Sequence, residues 1–455
     1  MTNSLVVVGG GAGGLSAARA AVAMGVRPLL VSEGPLGGEC THTGCVPSKA
    51  LIRAARTGEG FAGARERVDA AIARIAATED EASLAREGID VLRGRARFTA
   101  PGRLDMDGRA VSAPRVVLAT GTRPVVPPIP GLDGVPVLTN ENVFTLPACP
   151  SSLAVIGAGA VGCELAQAFA RLGARVFLIE RLQRLLAAEE PAASTVVTAA
   201  LTRGGVTVHT GITVAEVGVT PDGVVLTLDD GSRVEVQRVL VAAGRRPAVE
   251  GLGLDRAGVT LTDSGHVRVD ARLATSAPGV FAAGDVTGLL PFTHAADEMG
   301  RVAARNALSR HPHARFARAA VPWVTFTDPE VARVGLTEAQ AAHIRGARVA
   351  EVPMSEVDRA VIEDRTEGFV RLIAGPRPVL GDRWGGRLLG ATIVAPRAGE
   401  MIHEAALAMR TGMFTGRLAQ TVHAYPTWSV AVRMAAAQFV TTVGGRDARP
   451  ARATG

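Results

Sequence analysis

Lysine is almost missing from this chain. Of its 49 basic residues all but Lys49 are arginine, there is one tyrosine, and only 4% of the residues are aromatic. Four cysteines in 455 residues exclude a disulfide framework. In a reducing compartment a close cysteine pair is more often redox-active or metal-binding than structural. No run reaches the roughly 18 consecutive apolar residues of a membrane helix, so no membrane partner is expected. The charge of +6 comes from scattered arginines without a dense block or interleaved aromatics, which argues against a nucleic-acid surface. It is better read as a mild attraction for anionic cofactors. The opening "MTNSLVVVGGG" enters a strand directly, with no basic or apolar leader. The expectation is a cytoplasmic protein.

What is present is apolar (47%) and rich in glycine, with 53 residues. Disorder is excluded, and two to four domains are expected at this length. Two segments repeat one pattern of strand, glycine turn, Ala-rich helix, strand and acid: "LVVVGGGAGGLSAARAAVAMGVRPLLVSE" and "LAVIGAGAVGCELAQAFARLGARVFLIE". Both read as βαβ units. Residues 61–95 read as mainly helical, and the Pro-rich run 123–136 as a surface connection that is neither helix interior nor central strand. Another buried strand, "GVFAAGDVTG", carries Asp285 at its end. From about 321 an α/β segment of different rhythm begins, and the last dozen residues look frayed. The fold class expected is α/β, with two Rossmann-like dinucleotide-binding domains and a C-terminal α/β domain.

Gly9, Gly11 and Gly14 follow a strand and open a helix, and Glu33 closes the next strand. Such glycines permit the tight turn and the approach of a pyrophosphate to the helix N-terminus, where unpaired N–H groups favour negative charge. Glu33 would accept from ribose hydroxyls. Gly157, Gly159, Gly162 and Glu180 repeat the arrangement. An acid at Glu180 would repel a 2′-phosphate, which favours NADH, whereas nearby Arg181 and Arg184 leave NADPH open. The alternative is a pair of turns that use glycine only for packing.

"GGECTHTGCVPSK" holds Cys40 and Cys45 and ends in Lys49. The sulfurs can approach disulfide distance if Cys45 begins a helix and Cys40 precedes it, a placement that Pro47 near the helix start fits. A thiolate at a helix N-terminus is easier to form and so is a nucleophile. Metal binding through Cys40, His42 and Cys45, or an inert pair, are the other readings. Cys149 and Cys163 read as packing residues.

This stretch resembles the active-site signature of the class I pyridine nucleotide-disulfide oxidoreductases, such as dihydrolipoyl dehydrogenase, glutathione reductase and mercuric reductase. "ATGTRP", "GAGAVGCELA", "VAAGRRP", "VFAAGDVTG", "WVTFTDPEVARVGLTE" and "HAYPT" follow in the family order over nearly the whole chain. The resemblance implies an FAD-binding domain at 1–150, an NAD(P)-binding domain at 151–270, a segment at 271–320 returning to the FAD domain, and a dimerisation domain at 321–455 that makes a homodimer. Electrons would pass from NAD(P)H through FAD to a Cys40–Cys45 disulfide, and then to a disulfide substrate or other small electron acceptor. Cys40 would be the interchange thiol and Cys45 the charge-transfer thiol. Thr120, Gly121, Gly244, Asp285 and His294 would line the cofactors. Lys49 would approach the flavin N5 and pair with Glu164. A compact ammonium suits a narrow site where a planar guanidinium would not fit.

The pattern breaks near the end. The family's His-Pro-Thr is followed by a Glu, an acid–base pair supplied by the partner subunit, but Tyr425 and Val430 stand at those positions. Tyrosine, with an ordinary pKa of about 10, is a poor base at neutral pH. His423 lies two residues earlier and is a candidate substitute. The mercuric reductase branch carries a tyrosine in this region, yet the chain ends "GRDARPARATG" without that branch's C-terminal cysteine pair. Two other readings are a quinone or dye reductase with accessory cysteines, and a flavoprotein redox sensor.

Overall fold

The computed structural model describes residues 4–453 apart from 378 and 380. The chain forms two compact units. The first comprises Met1–Pro128, Val137–Cys149 and Leu240–Arg318; the second comprises Ile129–Pro136, Pro150–Val239 and Ala319–Gly455. The chain passes between them at Val239–Leu240, ahead of the division at 270 expected from the sequence. Leu240 begins the run into Arg245–Pro247, which pairs antiparallel with Thr122–Pro124, a long-range pairing with no local signal.

In the first unit five parallel strands stand in the order Val280–Ala282, Val116–Leu118, Val6–Val8, Leu29–Ser32 and Asp90–Arg93. Val116–Leu118 and Val6–Val8 are runs of valine and leucine buried on both faces, and Leu30 and Val31 of the next strand are buried too, as a covered parallel sheet requires. Helix Ala12–Ala23 makes the crossover from Val6–Val8 to Leu29–Ser32. Its small residues let helix Thr293–Leu308 approach closely: a Cβ on Gly300 would lie 2.2 Å from the Gly13 carbonyl, and Ser16 Oγ donates to the Asp297 carbonyl at 2.7 Å. The 61–95 region is helical over Phe61–Ala76 and Glu81–Arg86 before the strand Asp90–Arg93. A three-stranded meander, Ala96–Ala100, Arg103–Met106 and Arg109–Ser112, follows.

In the second unit, strands Ser152–Ile156, Arg175–Glu180 and Val206–Thr210 run parallel around helix Ala160–Arg171. A meander of Val214–Thr220, Gly223–Leu228 and Arg233–Val236 comes next. The C-terminal part is an antiparallel sheet ordered Pro322–Thr325, Glu330–Gly335, Arg387–Ala395, Phe369–Gly375, Arg348–Pro353 and Arg449–Pro450. Ala398–Thr411 and Val430–Ala437 cover it, packing Met401, Ile402, Ala405, Val432 and Ala435 against Val334, Leu372 and Ile393. The C-terminus is not frayed as expected: Arg449–Pro450 is the edge strand, and Arg449 forms an ion pair with buried Glu338. Residues 454–455 of that stretch lie outside the described residues.

Candidate functional site

Each glycine turn divides its glycines into two kinds. A Cβ on Gly14 would stand 1.8 Å from the Gly9 carbonyl oxygen, and one on Gly162 would stand 1.9 Å from that of Gly157. Chain packing alone accounts for both. Gly11 and Gly159 differ. Both are helix N-caps with ordinary extended backbone, and a Cβ would meet nothing nearer than 3.9 Å at Gly11 and nothing within 4 Å at Gly159. The middle glycine therefore keeps open a space that the protein does not fill, beside the free N–H groups of a helix start. Packing alone does not explain it; a phosphate does. Thr120 Oγ1 is buried without a partner among the described residues, just past the strand that ends at Leu118 beside Gly9. Such a group is costly unless a ligand satisfies it. These features fit a dinucleotide.

Around that cradle, Gly121 and Gly244 adopt positive φ, +71° and +136°. Asp285 begins a short 3-10 turn, where its Oδ2 accepts from Thr122 Oγ1 at 3.2 Å and burial pushes its carboxyl above the usual range. Glu33 is exposed and forms an ion pair with Arg95, which holds its carboxyl below the usual range. His294, in the first turn of Thr293–Leu308, stacks on Phe292. In the second unit the Glu180 carboxylate accepts from Ala158 N at 2.7 Å and Leu182 N at 2.9 Å, so it braces the glycine turn itself.

Cys45 is the first residue of helix Cys45–Thr57, and Cys40 precedes it on the short helix Gly38–His42, as the spacing predicts. Both are thiols here. Cys45 Sγ lies 3.3 Å from Thr293 Oγ1. Hydrogen bonding to the Cys45 thiol, and then burial, push the Cys40 thiol far above its ordinary range. His42 donates through Nε2 to the Leu36 carbonyl at 2.8 Å, which occupies that nitrogen in shaping the loop. Cys163 is fully buried, and its thiol donates to the Ala158 carbonyl at 3.3 Å. Lys49, one turn after Cys45, donates to Ser48 Oγ at 3.3 Å. Glu164 is buried in the second unit, where it accepts from Phe326 N at 2.8 Å.

At the C-terminal end, Tyr425 is 72% exposed, and its hydroxyl donates to Asp358 Oδ2 at 2.6 Å. The carboxylate pushes the phenol above its ordinary value, making it a weaker acid and so less available as phenolate at neutral pH. His423 has both ring nitrogens facing acceptors: Nδ1 is 2.9 Å from the Thr421 carbonyl and Nε2 is 2.8 Å from Glu404 Oε2. His423 and Glu404 line a cleft of about 440 Å³ walled by Leu407, Met413 and Val422. Sequence reasoning missed Asp358 and Glu404, which lie 67 and 19 residues away from their partners.

Residues 3–300 match the family described as pyridine nucleotide-disulphide oxidoreductase, and residues 321–436 match the dimerisation domain of the same family. The chain belongs to this family. It is 36% identical to a dihydrolipoyl dehydrogenase of Thermus scotoductus over 96% of this chain and 97% of that one. It is equally 36% identical to a mercuric reductase of Streptomyces lividans, over 96% of each chain. Among solved structures, the flavoprotein disulfide reductase RclA of Escherichia coli superposes with a TM-score of 0.87 at 27% identity, covering 95% of this chain and 99% of that one. LpdA of Mycobacterium tuberculosis also superposes with a TM-score of 0.87, at 30% identity over 97% and 100%. As a pyridine nucleotide-disulphide oxidoreductase the chain is an FAD-dependent disulfide oxidoreductase with a dimerisation domain, as its motifs imply. Among the described residues no helix is long and apolar enough to cross a membrane.

Proposed function

We propose that this enzyme oxidises NADH in preference to NADPH and reduces, through Cys40 and Cys45, an acceptor that needs little proton transfer from the protein. The observation that carries this is the state of the two candidate bases. The Tyr425 hydroxyl is committed to Asp358, and both nitrogens of His423 are occupied. The phenol, held protonated beside a carboxylate, is a poor base for a substrate thiol, and His423 is tied to Thr421 and Glu404 of its own chain.

In this reading the first unit holds FAD, with the phosphates over Gly11, Thr120 Oγ1 and Asp285 bonding to the cofactor, and Glu33 at the ribose. FAD supplies, when bound, a two-electron relay between a nicotinamide and a disulfide. Cys45, at the helix start, carries the thiolate charge, Cys40 meets the acceptor, and Lys49 places a positive charge one turn on. The second unit holds the nicotinamide nucleotide over Gly159. NADH preference is supported by Arg184, whose guanidinium is used up within its own loop: it donates to the Glu189 carbonyl and Ser194 Oγ at 2.9 Å and to the Ala187 carbonyl at 2.6 Å. Only Arg181 is left to meet a 2′-phosphate, beside the Glu180 carboxylate. The active form is a homodimer built on the C-terminal domain, working in the cytoplasm.

The test is an acceptor panel at fixed NADH, repeated with NADPH, comparing lipoamide with other disulfides, soft metal ions and quinones. Slow lipoamide turnover beside a faster acceptor is expected, with the fast reaction lost in Cys40→Ser. Quinone reduction that survives Cys40→Ser would instead make the cysteines accessory.

A further inference from the structure

A polar cluster beside the thiols has no part in the function argued so far. Glu39, the residue before Cys40, accepts from Asn140 Nδ2 at 2.8 Å and from Arg245 Nη2. The same guanidinium donates through Nε to Thr122 Oγ1 at 2.7 Å and through Nη2 to the Thr122 carbonyl at 3.1 Å. Asn140 also donates to the carbonyl of Thr43, in the loop between the cysteines, at 3.3 Å. Burial pushes the Glu39 carboxyl up against the opposing pull of Arg245. The two cysteines are therefore held in different ways. Cys45 belongs to a helix of 13 residues, whereas Cys40 sits on one of 5 residues, too short to persist unaided. The bonds from Arg245 and Asn140 fix that short turn and the loop after it to the paired strands Thr122–Pro124 and Arg245–Pro247.

We propose that Glu39, Asn140 and Arg245 are positioning residues for the Cys40–Cys45 couple, holding the turn that bears Cys40 against the helix that bears Cys45. This rests on the reading that the pair cycles between dithiol and disulfide. Closing the pair forms one S–S bond and breaks two S–H bonds. Two electrons and two protons pass to a reference disulfide, which opens to its dithiol. A fixed turn raises the effective concentration of one thiol at the other. A freed turn lowers it and disfavours the closed form, although no sulfur has been altered.

The experiment equilibrates the FAD-containing enzyme with mixtures of oxidised and reduced dithiothreitol. Free thiols are then alkylated, and the closed fraction is read from the mass of the peptide holding both cysteines. Glu39→Ala and Asn140→Ala should each lower the equilibrium constant for closing about tenfold, a rise of about 30 mV in midpoint potential by the two-electron relation. Glu39→Gln should recover part of the loss, because its amide oxygen still accepts one of the two bonds. A lower melting temperature with an unchanged closing constant would overturn the proposal, since it would make the cluster merely structural. Should Glu39→Ala fail to fold, Asn140→Ala decides: it leaves the Arg245–Glu39 pair in place, and an unchanged constant there overturns the proposal equally. A wild-type enzyme that closes no disulfide at any ratio removes the disulfide reading and this inference with it.

Discussion

Substituting alanine at Gly11 and at Gly14 should have opposite consequences, although the two positions lie in one turn. At Gly14 the added methyl would stand 1.8 Å from the Gly9 carbonyl oxygen. That oxygen belongs to the backbone and cannot rotate away, so the cost falls at the upper end of overpacking penalties, about 3 kcal/mol. For a unit of this size that lowers the melting temperature by roughly 6–12 °C. At Gly11 the methyl enters open space 3.9 Å from its nearest neighbour, on backbone with φ −82° that alanine adopts readily. The apoprotein should be unchanged within about 0.5 kcal/mol. What changes is the approach of a phosphate to the helix start. Losing one charge-assisted hydrogen bond costs about 1.5–3 kcal/mol, or about 10- to 100-fold in FAD affinity. Thermal unfolding of both apoproteins, and fluorescence titration with FAD, separate the two effects. Wild-type FAD affinity in Gly11→Ala would refute the argument that the middle glycine is there for a ligand, as would a Gly14→Ala apoprotein as stable as wild type.

Three further outcomes follow from the site. Cys45→Ser should abolish the long-wavelength charge-transfer absorbance of the two-electron-reduced enzyme while Cys40→Ser retains it, because Cys45 opens the helix Cys45–Thr57, whose N-terminus favours a thiolate; equal loss in both would refute the assignment. Arg184→Ala should leave the ratio of kcat/KM for NADH and NADPH unchanged, since its guanidinium is bonded to the loop that follows it and to Ser194 of the helix beyond. Glu180→Ala should shift the ratio toward NADPH tenfold or more, at about 1.4 kcal/mol per decade, and a shift in the first variant or none in the second refutes the pocket as drawn. The chain's only tyrosine makes ultraviolet titration of the phenolate in the apoprotein a reading of Tyr425 alone. Asp358 raises the phenol, so the hydroxyl stays protonated through its ordinary value and ionises at higher pH. Asp358→Asn should bring the midpoint down toward about 10, whereas a midpoint that does not move would mean that the bond to Asp358 is not made in solution.

The parts of this molecule that the sequence disclosed are those whose signal is local. The two strand–glycine–helix units could be read because an apolar run, a turn and an Ala-rich helix lie within some thirty residues, and their spacing dictates the βαβ geometry. The placement of Cys45 at a helix start and of Cys40 just before it was legible for the same reason. The edge strand Arg449–Pro450 was not. Two residues carry no periodicity, and only the opposing register of Arg348 and Val349 makes them a strand. Nor was the anchoring of Glu39, whose partner Arg245 lies 206 residues away and looks in the sequence like one more arginine in an arginine-rich chain.

The departure at the C-terminus shows where local reading misleads. The family spacing asks for a carboxylate five residues after the base, finds Val430, and concludes that nothing orients Tyr425. The fold supplies the carboxylate from elsewhere: Asp358 begins the helix Asp358–Ile362 and accepts a hydrogen bond from the tyrosine hydroxyl at 2.6 Å. Orientation is thus restored while phenolate becomes scarcer still at neutral pH, since a carboxylate beside a phenol opposes its ionisation. His423 too is aligned from within its own chain, by Glu404 and Thr421. Both side chains are held in place by groups outside the family pattern. That arrangement suits acceptors, such as soft metal ions, whose reduction needs no timed proton, and it suits dithiol–disulfide exchange poorly.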